Sequence, residues 1–286
     1  MLLGYDEYNH LNMYKELDEK LILYNNGKKY GQVVFLAGGA GSGKGFAISN
    51  FMEGEKFKVF DVDELKKAFI KLKDLKMDLR NSQDVFDLHM MVKKSEIKNR
   101  ILSTLFRSMK VTKAGAKGTL PNLLFDVTLK EIEDIDEVMP LLMNAGYKPT
   151  DLHITWVLTD YYVAVQSNQE RARVVPDDIL LQTHIGAAKT MYDMLIGKTP
   201  RQINGGIYVI LNNKENTIPY VDADGKVIKS TGASTMTVKD FTYATLKKPK
   251  KRPLGDRYLK RQVYNWIVDN VPKDALRNLT TPKEAE

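Results

Sequence analysis

Residues 38–45, Gly-Gly-Ala-Gly-Ser-Gly-Lys-Gly, limit what this chain can fold into more than any other stretch. They fit the pattern G-x-x-x-x-G-K, which carries meaning only between a strand and a helix. Both are expected here. Residues 33–37 (VVFLA) are a short apolar run between turn signals, the pattern of a strand buried on both faces. A helix is predicted from near Lys44 to about Met52. In such a loop, glycines let successive backbone N–H groups converge on phosphate oxygens. The helix N-terminus adds partial positive charge, and Lys44 would neutralise the β- and γ-phosphates of a nucleotide. Gly38, Gly39, Ala40, Gly41, Ser42, Gly43, Lys44 and Gly45 are therefore the candidate nucleotide-binding positions, with Lys44 also a catalytic candidate. A glycine-rich turn without a ligand is the competing reading, and the flanking strand and helix weigh against it. One position departs from the pattern: Gly45 stands where a Ser or Thr hydroxyl usually ligates Mg2+. The metal then has to be held by other groups or through water. Ser42 is close in sequence but is not the usual ligand.

Strands and helices alternate from about residue 30 to 212. Further strands are expected at 57–60, 122–127, 152–158 and 206–211, and helices at 64–76, 84–110 (one long stretch), 131–144 and 177–196. That alternation implies a mostly parallel sheet with helices on both faces. Residues 6–25 have helical spacing, and 114–118 read as a loop. Residues 160–175 are polar and Arg-bearing, without strong periodicity. After 212 the character changes. Residues 218–228 suggest a hairpin turning at Asp224-Gly225, 229–240 are Ser/Thr-rich, 247–255 are basic with prolines, and 256–271 read as helical. The expected organisation is an N-terminal helical segment (1–29), a main domain (30–212) with a lid near 160–176, and a C-terminal extension (213–286) holding the hairpin, the basic segment and a helix.

Composition excludes several classes. With 43% hydrophobic and 28% charged residues, the 286-residue chain has a globular balance. It has no run of about 18 apolar residues, so no membrane span is expected. Its first twenty residues lack a basic region followed by an apolar stretch, so no secretory signal is expected there. Cysteine is absent, which excludes disulfides and thiolate metal sites and fits a reducing cytoplasm. The net charge of +7 is concentrated: residues 247–261 hold eight Lys or Arg and one Asp, so the remainder is neutral. A uniformly basic nucleic-acid coat is thereby excluded, and 247–261 is left as the one candidate nucleic-acid contact. The four histidines share no metal-ligand spacing and read as structural or surface groups; His184, on the helix after the lid segment, could also approach the site.

Three further groups of residues suit chemistry on a nucleotide. Asp61 and Asp63 fall at the end of the second strand, in KVFDVDELKK. Ligands of open α/β sheets sit outside the carboxyl ends of strands. Alternate spacing on a strand would point both carboxylates to one side. One of them could accept an acceptor hydroxyl's proton; Asp63 is the preferred base, and Asp61 is a metal candidate. A helix N-cap is the structural alternative. Lys66, one helical turn beyond Asp63, could touch an acceptor phosphate. Asp126 ends the third strand, followed by Thr128; both are substrate-side candidates, and Asp126 is also a candidate for organising metal. Arg171 and Arg173, after the fourth strand, could close over a polyphosphate and stabilise charge in the transition state.

The runs GGAGSGKG, FDVDELKKAF, NLLFDVT…LLMNAGYKPTDLHITWV and NQERARVVPDDILLQTH resemble the zeta-toxin and polynucleotide-kinase group of P-loop kinases, zeta toxins most closely, over about residues 30–200. The resemblance implies a P-loop NTPase fold and ATP or GTP binding at 38–44 with Mg2+. It also implies a catalytic base at Asp63 and γ-phosphate contacts from Arg171 and Arg173. Zeta toxins usually end the third strand with Glu-Gly-Thr, where this chain has Asp126-Val127-Thr128. Zeta toxins phosphorylate a UDP-amino sugar and polynucleotide kinases a nucleic-acid 5′-hydroxyl, so the resemblance leaves the acceptor open between those classes. An antitoxin-like inhibitor is a further partner class it leaves open. The alternative from a different class is a nucleotide-binding structural or DNA-packaging accessory protein with little or no turnover, which Gly45 keeps in view.

Overall fold

The structure, a computed structural model, describes residues 30–52, 57–113, 120–170, 174–212, 217–219, 236–238, 242–247, 264–265, 267–269 and 271. The expected helix at 6–25, the loop at 114–118, the turn at 224–225, Arg171 and Arg173 lie outside these residues.

Five parallel strands form the sheet. They are β1 (Val33–Ala37), β2 (Phe57–Asp61), β3 (Asn122–Asp126), β4 (Leu152–Thr159) and β5 (Ile207–Asn212). An antiparallel strand, β8 (Thr242–Lys247), adds to β5, giving the order β2-β3-β1-β4-β5-β8. The edge strand β8 thus comes from the stretch read as an extension, and Ile267 and Val271 are buried in the main core. A second, two-stranded pairing joins β6 (Thr217–Pro219) to β7 (Met236–Val238). The far arm of the expected hairpin therefore lies in the Ser/Thr-rich stretch.

The alternation along β1 builds two cores. Val33, Phe35 and Ala37 face one layer, and Val34 and Leu36 the other. All five are buried, as the continuous apolar run required. On the first face Phe35, Phe125 and Phe60 stack in a row at 5.2 Å centroid spacing across three strands. Helix α1 (Lys44–Phe51) covers the second face through Ala47.

Helix α2 (Val62–Lys73) starts earlier than expected. The stretch 84–110 is not one helix but two, α3 (Ser82–Lys94) and α4 (Ile97–Lys113). The break is local chemistry. The Ser95 hydroxyl donates to Val92 O at 2.7 Å and accepts from Ile97 N at 3.4 Å, and Glu96 takes a left-handed φ of 52°. Such side-chain bonds compete with the helical ladder. The bend lets Leu88 and Val92 pack on Phe69 of α2, while Leu102 and Phe106 reach the sheet. Residues 131–144 likewise divide into α5 (Glu133–Asp136) and α6 (Met139–Ala145), the second with a proline in its first turn and Gly146 as its left-handed C-cap. Residues 161–169, read as lacking periodicity, form helix α7 (Tyr161–Gln169), and α8 (Asp177–Leu195) follows. Among the described residues, no helix is long and apolar enough to cross a membrane.

The end of the sheet opposite the glycine loop carries a buried polar network. His153 is fully buried; its Nδ1 accepts from Gly206 N at 2.8 Å, so Nε2–H donates to Gln32 Oε1 at 2.8 Å. Gln32 N donates to Asn122 Oδ1 at 3.0 Å. Burial, with the nearby Lys247 ammonium, pushes His153 down to about 3. The unfolded chain therefore takes up this proton first, and stability present above the ordinary value near 6.5 is lost as pH falls toward 3. At pH 5 the loss is about 2 kcal/mol, at 1.36 kcal/mol per pH unit below 6.5. We expect a His153→Gln variant to be less stable than the parent at pH 7 and to close that gap by about 2 kcal/mol at pH 5, measured by urea unfolding at both values. A constant gap would contradict a neutral, buried His153.

Candidate functional site

The glycine loop leaves the C-terminal end of β1, the central strand, where the chain has crossed to both sides (β3 on one flank and β4 on the other). This is the crevice in which open α/β sheets hold ligands. Gly43 sits at φ 90° immediately before α1, and Gly41 at φ 75°. Side chains rarely adopt such angles, so glycine is required there to turn the chain into the helix. Helix α1 has no side-chain cap and no acidic residue in its first turn. By contrast, α2, α3 and α7 are capped by the side chains of Asp61, Asn81 and Asp160. No side chain therefore occupies the N-terminal end of α1, as none caps α5, α6 or α8.

Lys44 folds back over the loop. Its Nζ donates to Gly38 O at 2.9 Å and Gly39 O at 3.3 Å, and lies 3.7 Å from Asp126 Oδ1. The loop is tied to the end of β3 by Gly38 N, which donates to Thr128 O at 3.2 Å. Burial pushes the Asp126 carboxyl above its ordinary range; Lys44 opposes the shift, while Asp61 and Asp63 add to it. The register of the parallel pair places Asp61 directly opposite Asp126. Three carboxylates therefore share one end of the crevice with one lysine of the loop. Among the described residues, no group of three or more acidic or histidine side chains is arranged to hold a metal by itself.

One expectation is corrected here. Asp61 and Asp63 do not alternate on a strand, because β2 ends at Asp61 and Asp63 lies in the first turn of α2. The cap belongs to Asp61, whose carboxylate accepts from Asp63 N at 2.7 Å. Asp63 is left half exposed, 3.9 Å from the largely buried Lys66 ammonium. A backbone N–H near a strand end competes strongly for a carboxylate, and periodicity alone does not reveal that competition.

The Ser42 hydroxyl is buried and has no hydrogen-bond partner among the described residues. Gly45 itself is exposed, and a Cβ added there would meet nothing within 4 Å.

Besides Thr183, two residues outside the predicted site set touch the loop. His184, on α8, places Nε2 2.7 Å from Ala40 O, and Asn212, at the end of β5, donates to Ser42 O at 2.9 Å. Asn212 lies far along the chain and belongs to no spaced motif, whereas His184 closes the run NQERARVVPDDILLQTH without a role having been read for it. At the base of the arginine segment Asn168 is fully buried. It donates to Val175 O at 2.7 Å and accepts from Val175 N at 2.9 Å, so the two ends of residues 169–174 are held together. The basic segment loses one member. Lys247 is buried at the end of β8, donating to Asn204 Oδ1 at 3.0 Å and Gly205 O at 2.7 Å, so it is not part of a surface for nucleic acid.

The strand order with β1 central, and the glycine loop running from β1 into α1, decide the fold. The chain has the P-loop NTPase fold. No protein-family model matches it, and no curated protein sequence does either. Solved structures similar in shape include the AvrRxo1-ORF1:AvrRxo1-ORF2 complex with sulphate ions, at 14% identity and a TM-score of 0.42, over 73% of this chain and 61% of that one. The same complex with ATP matches at 14% identity and 0.42, over 84% and 76%. The PezAT chromosomal toxin–antitoxin system of the human pathogen Streptococcus pneumoniae matches at 11% identity and 0.39, over 94% and 98%. At these values the chemistry assigned to this chain rests on its own residues.

Proposed function

We propose that this chain is a P-loop phosphotransferase that moves the γ-phosphoryl group of ATP or GTP to a hydroxyl of a nucleotide-sugar or nucleic-acid acceptor. The observation that carries the reading is the convergence of Lys44 and Asp126, 3.7 Å apart, with Asp61 and Asp63 beside them at the mouth of the glycine loop. Backbone N–H groups of the loop and the uncapped start of α1 bind the phosphates. Lys44 leaves its own loop carbonyls and neutralises the β- and γ-oxygens. Asp63, half exposed, takes the proton of the acceptor hydroxyl. The acceptor oxygen forms a bond to the γ-phosphorus as the bond from that phosphorus to the β,γ-bridging oxygen breaks, and the nucleoside diphosphate leaves. Lys66, beside Asp63, and Thr128 face the acceptor. Arg171 and Arg173 supply positive charge to the transferred group.

The residues present fit Mg2+. Asp126 stands opposite Asp61 in the register of the parallel pair, so two carboxylates fall at the same level of the crevice, and carboxylate oxygens suit a hard cation. Asp126 and, beyond it, Asp61 would hold the metal, which when bound adds charge neutralisation at the phosphate oxygens. Because the space beside Gly45 is open, a Gly45→Ser variant should fold and supply the missing ligand. We expect the Mg2+ concentration for half-maximal activity to fall about threefold to tenfold, the scale of one modest added interaction. An unchanged requirement would mean that other groups already complete the metal's shell.

The absent hydroxyl at Gly45 also favours a second reading, a nucleotide-binding accessory protein with little turnover. Incubation with ATP, Mg2+ and a mixture of nucleotide-sugars and single-stranded oligonucleotides, read by mass spectrometry, separates the two. A product heavier by one phosphoryl group supports the kinase and names its acceptor class. ATP bound but unconsumed across the mixture supports the accessory protein.

A further inference from the structure

The loop is seated against the pair of helices α7 and α8, and the contact concentrates on one peptide unit. Ala40 N–H donates to Thr183 Oγ1 at 3.1 Å, and Ala40 C=O receives the His184 Nε2–H at 2.7 Å. The Thr183 hydroxyl passes its own proton to Leu180 O at 2.7 Å, so it is oriented to accept from the loop. His184 is buried, and Tyr161 of α7 meets its ring edge-on, with centroids 5.6 Å apart and planes at 79°. A Cβ placed on Gly39 would overlap the His184 ring, and one on Gly41 would come within 2.7 Å of Ala164 O in α7. Both polar groups of Ala40 are thus spent on α8, and glycine at 39 is demanded by an imidazole 145 residues away in the chain.

We propose that His184, with Thr183, is a positioning residue that holds the phosphate loop in its ligand-ready shape, and that Gly39 exists to admit the His184 ring. The inference rests on the nucleotide-binding reading of the loop. Burial lowers the affinity of His184 for a second proton, which fits a neutral ring donating through Nε2. Loop preorganisation matters because the N–H groups that meet phosphate have to be aimed before the ligand arrives. His184 touches neither substrate nor nucleotide in this scheme; it acts through Ala40.

The test is a double-mutant cycle on the full chain, read by ATP affinity in calorimetry and by thermal unfolding in parallel. His184→Ala is expected to weaken ATP about fivefold to tenfold, the upper scale for one lost hydrogen bond. His184→Gln, which can still donate to Ala40 O, is expected to recover most of that loss. Gly39→Ala is expected to weaken ATP more than about tenfold in the parent but less than about threefold when His184 is already alanine, because the overlap has been removed. Should Gly39→Ala alone fail to fold, recovery of a folded, ATP-binding protein on adding His184→Ala supports the proposal, and failure to recover counts against it. Additive effects, or a His184→Ala variant that melts earlier yet binds ATP as the parent does, would overturn the positioning role and leave the nucleotide reading standing. A parent chain that binds no ATP would overturn the nucleotide reading itself.

Discussion

Replacing Lys44 by alanine should abolish phosphoryl transfer while leaving the protein folded. The expected fall in kcat/KM is at least about a thousandfold, the scale on which a single cation acting on a transferred phosphoryl group is felt. The folded chain asks little of this side chain. Its ammonium rests on two carbonyls of its own loop and on Asp126, and the loop is independently held by Thr128, Thr183, His184 and Asn212. Its removal has a second consequence, because Lys44 is the group that opposes the upward shift of Asp126. Without it, Asp126 keeps its proton to higher pH, and any Mg2+ held there binds more weakly. Lys44→Arg should fare little better, since the guanidinium is bulkier and cannot reproduce a point charge folded over the loop. Steady-state kinetics, ATP calorimetry and thermal unfolding together check this. A Lys44→Ala protein that turns over ATP at the parent rate would end the reading of residues 38–45 as a phosphate site.

Much of the frame was legible in the sequence, for physical reasons that differ between elements. The strands β1, β3 and β4 announced themselves because a strand buried on both faces is largely apolar, entirely so in VVFLA and over most positions of β3 and β4. The glycine loop was legible because positive φ at Gly41 and Gly43 and close packing at Gly39 leave few residue types possible. Asp126 was placed by the end of its strand. What escaped were features decided by competition between local bonds or by contacts far apart in sequence. The break at Ser95-Glu96 turns on one hydroxyl choosing a helix carbonyl, which leaves no mark on helical periodicity. Asp61 and Asp63 do not share one side of a strand as expected, because β2 ends at Asp61 and capping claims its carboxylate. His184 lies 144 positions from the carbonyl it holds, and Lys247, outwardly the first residue of a basic run, is drawn into the sheet by Asn204 and Gly205. Neither fact follows from composition or spacing.

Asp63→Asn should separate chemistry from binding. Asparagine keeps the size of the side chain but cannot take a proton. We expect kcat to fall at least about a hundredfold, the low end for loss of a general base, with ATP affinity within about twofold of the parent. The fold should persist, since Asp61 and not Asp63 caps α2, and the Asp63–Lys66 contact is long, at 3.9 Å, with the Asp63 carboxylate half exposed. The structure also supplies a rival. Asp126 is more deeply buried, and its raised affinity for protons would suit a base. It is, however, already paired with Lys44 at 3.7 Å, a setting that favours holding charge over accepting a proton. The two roles predict different signatures. With Asp63 as base, Asp63→Asn loses kcat at every Mg2+ concentration, whereas Asp126→Asn loses activity that added Mg2+ partly restores. Asp61→Asn, which keeps a good N-cap, should cost less than either in kcat. Measuring kcat across a Mg2+ series for the three variants decides among them. Parent-like turnover in Asp63→Asn, together with a loss in Asp126→Asn that Mg2+ does not restore, would move the base from the first turn of α2 to the end of β3.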